Sequence, residues 1–128
     1  MKLRIEDNSI RFRISPEELE RLNQRSRIEA ATQLFSPDGN KVEGEFIYAL
    51  AVDVEGGPTR CLIEPSYIML VLHPDALATL NVPGTEGFYF QREATTPEGD
   101  VKRFMAYVEI DKPVKKRNRP EDWLGHDT

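Results

Sequence analysis

One pattern in this chain occurs twice, and it constrains the fold more than any other feature. Ser15-Pro16-Glu17-Glu18-Leu19, with Leu22-Asn23 behind it, is matched 58 residues later by His73-Pro74-Asp75-Ala76-Leu77 with Leu80-Asn81. Ser36-Pro37-Asp38-Gly39-Asn40 is matched by Thr96-Pro97-Glu98-Gly99-Asp100 at an offset of 60, and Phe46 and Asp53 by Phe104 and Asp111 at 58 again. Correspondences that keep their order and spacing read as an internal duplication, about residues 9–65 and 67–112. Each half spells a strand, a helix and a run of strands. Any fold for the whole chain has to accommodate two copies of that unit.

The local signals supply the elements. Leu3 and Ile5, then Ile10, Phe12 and Ile14, alternate with Lys2, Arg4, Arg11 and Arg13, which predicts two strands joined at Asp7-Asn8-Ser9. Ser15 is placed to cap a helix, with Pro16 at its first position, Glu18 completing a capping box, and an end near Arg25. A long hairpin follows around Ser36-Pro37-Asp38-Gly39-Asn40. Pairing Ser36 with Asn40 sets Leu34 opposite Val42, Ala30 opposite Phe46 and Ile28 opposite Tyr48. Arg60–Glu64 and Tyr67–Leu72 read as two strands, His73–Asn81 as a second short helix, and Phe88–Ala94 with Val101–Ile110 as a closing hairpin. The predicted class is α+β: about eight antiparallel strands in a curved sheet or barrel, with two short helices on the outside. Residues 1–112 form the single domain, and 113–128 read as a basic then acidic tail.

Composition narrows the function classes. Seventeen Lys and Arg against 22 Asp and Glu give a net charge of −5, the wrong sign for general nucleic-acid binding. The basic run Lys115-Lys116-Arg117 reads as a solvated tail. Cys61 is the only cysteine, so disulfides within the chain and thiolate metal clusters are excluded, and its apolar neighbours Leu62 and Ile63 mark it as a small buried hydrophobe. His73 is read as a helix cap. His126 has no partner at metal-ligand spacing, so neither metal nor cofactor is expected. The charged opening Met1-Lys2-Leu3-Arg4-Ile5-Glu6-Asp7 lacks a signal-peptide core, and no apolar run approaches the ~20 residues of a membrane span. These features predict a cytoplasmic protein with no membrane partner.

Two family resemblances follow from quoted residues. The opening Met1-Lys2-Leu3-Arg4-Ile5 with Asn8-Ser9-Ile10-Arg11-Phe12-Arg13 resembles that of a family of small bacterial proteins of unknown function, which implies a shared fold and no particular activity. The duplicated strand-helix-multistrand unit, with Ser9 to Pro16 leading into an acid-capped helix, resembles the CYTH-like, triphosphate-tunnel architecture. That resemblance implies a wide barrel with charged side chains inside. The catalytic glutamates of that superfamily's first strand are replaced here by Ser9, Arg11 and Arg13, so its triphosphate chemistry is not implied.

The cations of the first hairpin are the best candidate site. With Asp7-Asn8 as the turn, Arg4 faces Arg11 and Lys2 faces Arg13. With Asn8-Ser9 as the turn, Glu6 meets Arg11 and Arg4 meets Arg13. Either register lines the cations on one face, and like charges directly opposite each other are unfavourable by about 0.2–1 kcal/mol per pair. The acidic stripes Glu43/Glu45 and Glu109/Asp111 are the available neutralising partners. Otherwise Lys2, Arg4, Arg11 and Arg13, joined by Arg60 if the sheet closes, form a site for a small anion or phosphate compound. Three functions are therefore open: a non-enzymatic binding or assembly protein meeting itself or another protein, an anion-binding module, and a degenerate tunnel-type phosphohydrolase drawing on Glu43, Glu45 and Glu109.

Overall fold

Alternation and turn chemistry produce hairpins, and the two helices decide how those hairpins are combined. The computed structural model describes residues 1–111, so the 113–128 tail lies outside the described residues. In chain order the elements are β1 (Lys2–Glu6), β2 (Ser9–Ile14), α1 (Pro16–Arg25), β3 (Arg27–Phe35), β4 (Val42–Val52), β5 (Arg60–Glu64), β6 (Tyr67–Leu72), α2 (Pro74–Leu80), β7 (Gly87–Thr95) and β8 (Val101–Ile110). The expected elements are therefore present. α1 begins at the predicted capping box: Ser15 Oγ accepts from the Glu18 N–H at 3.1 Å and the Glu18 carboxylate accepts from the Ser15 N–H at 2.9 Å. His73 caps α2 through Nδ1, which accepts from the Asp75 N–H at 2.9 Å.

The expectation of one antiparallel sheet, curved or closed into a barrel, is corrected. The eight strands form two separate four-stranded sheets, in the orders β1-β2-β8-β7 and β3-β4-β6-β5. Only the hairpins are antiparallel, while β2 with β8 and β4 with β6 pair in parallel. The cause is the helices. α1 carries the chain from β2 in the first sheet to β3 in the second, and α2 carries it back from β6 to β7. Each sheet therefore contains one hairpin from each half of the chain, joined through the inner strands. The described residues enclose no tunnel.

The arrangement follows the sequence offsets. Ser9 of β2 faces Met105 of β8, and 58 residues away Tyr67 of β6 faces Ile47 of β4. Lys2 faces Arg13, and Arg60 faces Val71, again at 58. Where the two helices meet, Asn23 and Asn81 donate side-chain N–H bonds to each other's Oδ1, both at 2.8 Å. The Asn of the twice-occurring Leu-x-x-Leu-Asn pattern thus marks a pseudo-two-fold relation between the halves.

One face of each sheet supplies a single core. Ile10, Phe12 and Ile14 from β2 and Ala106 and Val108 from β8 join Leu50 from β4 and Ile68, Leu70 and Leu72 from β6. Leu22, Ala76 and Leu80 come from the helices. The long hairpin is registered two residues from expectation, with Ile28 opposite Leu50 and Ala30 opposite Tyr48. Its loop closes on a Ser36 N–H to Lys41 carbonyl bond at 2.8 Å, one residue later than predicted, and a bulge at Leu34/Phe35 takes up a further residue. A slip of two keeps every side chain on its intended face.

Candidate functional site

Strand alternation puts Lys2, Arg4, Arg11 and Arg13 on the face of the first sheet that points away from the core. The turn is Asp7-Asn8, with Asn8 at φ 55°, so Arg4 lies directly opposite Arg11 and Lys2 opposite Arg13. Together with Leu3 and Glu109 these four residues line a cavity of about 260 Å³.

The neighbouring strand β8 supplies partners. Arg11 Nε lies 3.4 Å from Glu109 Oε1, and its guanidinium carbon sits 4.7 Å above the centre of the Tyr107 ring. Arg13 Nε lies 3.1 Å from Asp111 Oδ1 and Arg4 Nε 2.8 Å from Glu6 Oε1. Among the described residues Lys2 makes no ion pair. Tyr107 packs against Tyr89 of β7 at 6.1 Å between ring centres, and Tyr89 is exposed. The face is thus a row of cations bordered by carboxylates and continued by two aromatic rings. Of the two acidic stripes considered for the neutralising role, Glu109/Asp111 performs it. Glu43 and Glu45 belong to β4 in the other sheet.

Arg60 is not part of this cluster. The sheets do not close on each other, so Arg60 stays on β5 of the second sheet, its Nη1 donating to Asp53 Oδ2 at 3.0 Å and to the Pro58 carbonyl at 2.9 Å. That bond, helped by the Glu55 N–H, holds the Asp53 carboxyl below the usual carboxylate range. Cys61 is half-buried beside it, and burial pushes its thiol pKa up, as suits a packed side chain rather than a nucleophile. Among the described residues no three His, Cys, Asp or Glu side chains converge to hold a metal ion. No described helix is long and apolar enough to cross a membrane.

The second sheet shows what the same positions look like with the arginines replaced; Lys2 alone keeps a basic counterpart, Arg60. At an offset of 58, Arg4 and Arg11 become Leu62 and Met69, which face each other in the same register, and Arg13 becomes Val71. Tyr107 and Glu109 become Ala49 and Ala51. Over those small residues Arg27 crosses β4 to reach the Met69 sulfur at 3.4 Å and the Tyr67 hydroxyl at 3.2 Å, and Ala49 is buried. The periodicity of the sequence places both sets on outer faces. That Arg4 opposite Arg11 in one answers to Leu62 opposite Met69 in the other becomes visible only when the two sheets are laid side by side.

The chain belongs to a family of unknown function (DUF7009), whose match covers residues 1–114. No curated protein and no solved structure matches it.

Proposed function

We propose that this is a non-enzymatic binding protein whose basic outer face, Lys2, Arg4, Arg11 and Arg13, takes a small anion or phosphate compound. One observation carries the reading: where Arg4 faces Arg11 in the first sheet, the second has Leu62 facing Met69 in the same register, and Arg13 becomes Val71, while Lys2 keeps a basic counterpart in Arg60. The scaffold pairs its strands there without the three arginines, so the arginines are not a requirement of folding. Two like-charged pairs directly across a hairpin are unfavourable by about 0.2–1 kcal/mol each, and an anion between them removes that cost. Arginine forks suit the planar or tetrahedral oxyanions that a cavity of this kind admits. The matched offsets, registers and Asn23–Asn81 pair support reading the chain as an internal duplication, in which β1 opens one repeat and β5 the other rather than the expected bounds of about 9–65 and 67–112, and only the first outer face carries the arginine pair.

The test is thermal unfolding against tripolyphosphate, nucleotides, sulfate and citrate at low and high salt, beside an Arg11→Ala/Arg13→Ala variant. A ligand at 100 times its dissociation constant adds about 2.7 kcal/mol. Stabilisation of the wild type at low salt, absent in the variant, is the expected result. No shift with any of these anions sinks the proposal.

A second reading, self-assembly, has its own support. The tip of the β3–β4 hairpin exposes Leu34, Phe35 and Val42 together, at 48%, 61% and 49%. Light scattering across a concentration series distinguishes a monomer from an assembly that Phe35→Glu dissolves.

A further inference from the structure

A second cavity lies at the opposite edge of the molecule, where β5 of one sheet meets β7 and β8 of the other. It has a volume of about 270 Å³ and is lined by Arg60, Cys61, Ile63, Phe90, Arg92 and Phe104. The walls are apolar and the rim is cationic. Arg92 is fixed at that rim: its guanidinium carbon sits 4.6 Å above the centre of the Phe90 ring, and Nη2 donates to the Thr59 carbonyl at 3.2 Å. Those contacts leave other guanidinium N–H groups unused. Among the described residues Arg92 has no carboxylate partner, whereas Arg60 beside it is already held by Asp53.

The pseudo-two-fold relates this cleft to the other edge of the molecule. There the positions equivalent to its lining are Lys2, Leu3, Ile5, Ala30, Thr32 and Phe46, with Met1 beside them. Met1 and Leu3 pack against the core, and the Tyr48 hydroxyl donates to the Met1 carbonyl at 3.2 Å. Their counterparts are Thr59 and Cys61, both smaller, and the counterpart of Thr32 is Arg92. On this side the scaffold keeps a cleft and gains an unpaired cation at the mouth.

We propose that this cleft binds an amphipathic monocarboxylate, its apolar tail between Phe90, Phe104 and Ile63 and its carboxylate on Arg92. The volume accommodates roughly nine non-hydrogen atoms at about 30 Å³ each, which fits an acid of about eight carbons in all with its carboxylate at the rim. A carboxylate matches the guanidinium fork, and the ring beneath Arg92 presets the fork's position. The site is separate from the basic outer face, and either stands if the other fails.

Cys61 provides the test, because the chain's only cysteine is in the wall of the cleft. Its alkylation by iodoacetamide is measured with octanoate, with octan-1-ol and with sulfate, for the wild type and for Arg92→Gln. Octanoate is expected to slow labelling at least fivefold, octan-1-ol at the same concentration less than twofold, and sulfate not at all. Arg92→Gln, whose side chain is exposed, is expected to raise the octanoate concentration needed for half-protection by tenfold or more. The proposal is overturned if octanoate leaves the rate unchanged or raises it, or if octan-1-ol protects equally. The wild-type arms give that answer whether or not the variant folds. Equal protection of a folded Arg92→Gln also overturns it.

Discussion

Arg4→Leu combined with Arg11→Met writes the second sheet's cross-strand pair onto the first, and it is expected to abolish anion binding while leaving the fold standing. The magnitude follows from what each side chain touches. Arg11 loses its 3.4 Å contact with Glu109, between side chains 39% and 33% exposed, and exposed pairs of this kind contribute about 0.2–1 kcal/mol. It also loses the stacking over Tyr107, about 0.5–1 kcal/mol at an exposed site. Arg4 and Glu6, 69% and 53% exposed, contribute close to nothing. Against these losses stand relief of the Arg4–Arg11 opposition and a new Leu–Met pair, each about 0.2–1 kcal/mol. The sum lies within about 1 kcal/mol of zero, a change in melting temperature of about 4 °C or less in a domain of this size. Calorimetric unfolding with and without tripolyphosphate, at low and high salt, measures both quantities. A variant that loses more than about 2 kcal/mol without ligand refutes the reasoning, because the charges then hold the sheet together. A variant still stabilised by tripolyphosphate as strongly as the wild type places the anion elsewhere.

Two further outcomes follow from single positions. A Cβ at Gly87 meets the Val108 carbonyl oxygen at 2.2 Å, and backbone cannot move aside cheaply, so Gly87→Ala is expected to destabilise by about 1–3 kcal/mol in urea unfolding. Equal stability of Gly87→Ala and the wild type contradicts the close approach of β7 to β8. Glu18 is expected to give an acid-side dependence. Desolvation alone would raise its pKa, but the bond from the Met1 ammonium and those from Ser15 outweigh it and hold the carboxyl below its ordinary value. A depressed folded pKa means the stabilisation is present above the unfolded value, about 4.3, and is lost as pH falls through the folded one. The wild type is therefore expected to melt above Glu18→Gln at neutral pH, with the gap closing below about pH 4 in a circular-dichroism series. A gap that persists at pH 2 assigns the loss to packing of the side chain rather than its charge.

The proposed duplication gives the two proposed sites a common origin. A scaffold that repeats its strand register at an offset of 58 has two copies of every surface, and selection can alter one copy while the other keeps the fold. Here the first sheet's outer face carries Arg4 opposite Arg11, and the second's carries Leu62 opposite Met69. At the edges, Leu3 packs against the core where its counterpart Cys61 lines the cleft.

What the sequence determined by itself is local. Alternation around Arg11 and Arg13, the Ser15–Glu18 capping box, the His73 cap and a turn within Asp7-Asn8-Ser9 are decided by neighbours a few residues apart, and all stand where the pattern put them, the structure selecting Asp7-Asn8 from the two turns the pattern allowed. The offsets between the halves were legible for the same reason, and they reappear as strand registers and as the Asn23–Asn81 contact. Which strands become neighbours across the halves was not legible. β2 presents an edge that either an antiparallel or a parallel strand can satisfy, and nothing in Ile10-Arg11-Phe12 distinguishes them. Tertiary structure settled it, because each helix delivers the chain to the opposite sheet and leaves β2 to pair with β8. That pairing brought Tyr107 and Glu109 to the arginines and kept Arg60 away from them, and the meeting of the two sheets left, beside Arg92 and Phe90, a cleft whose walls come from both.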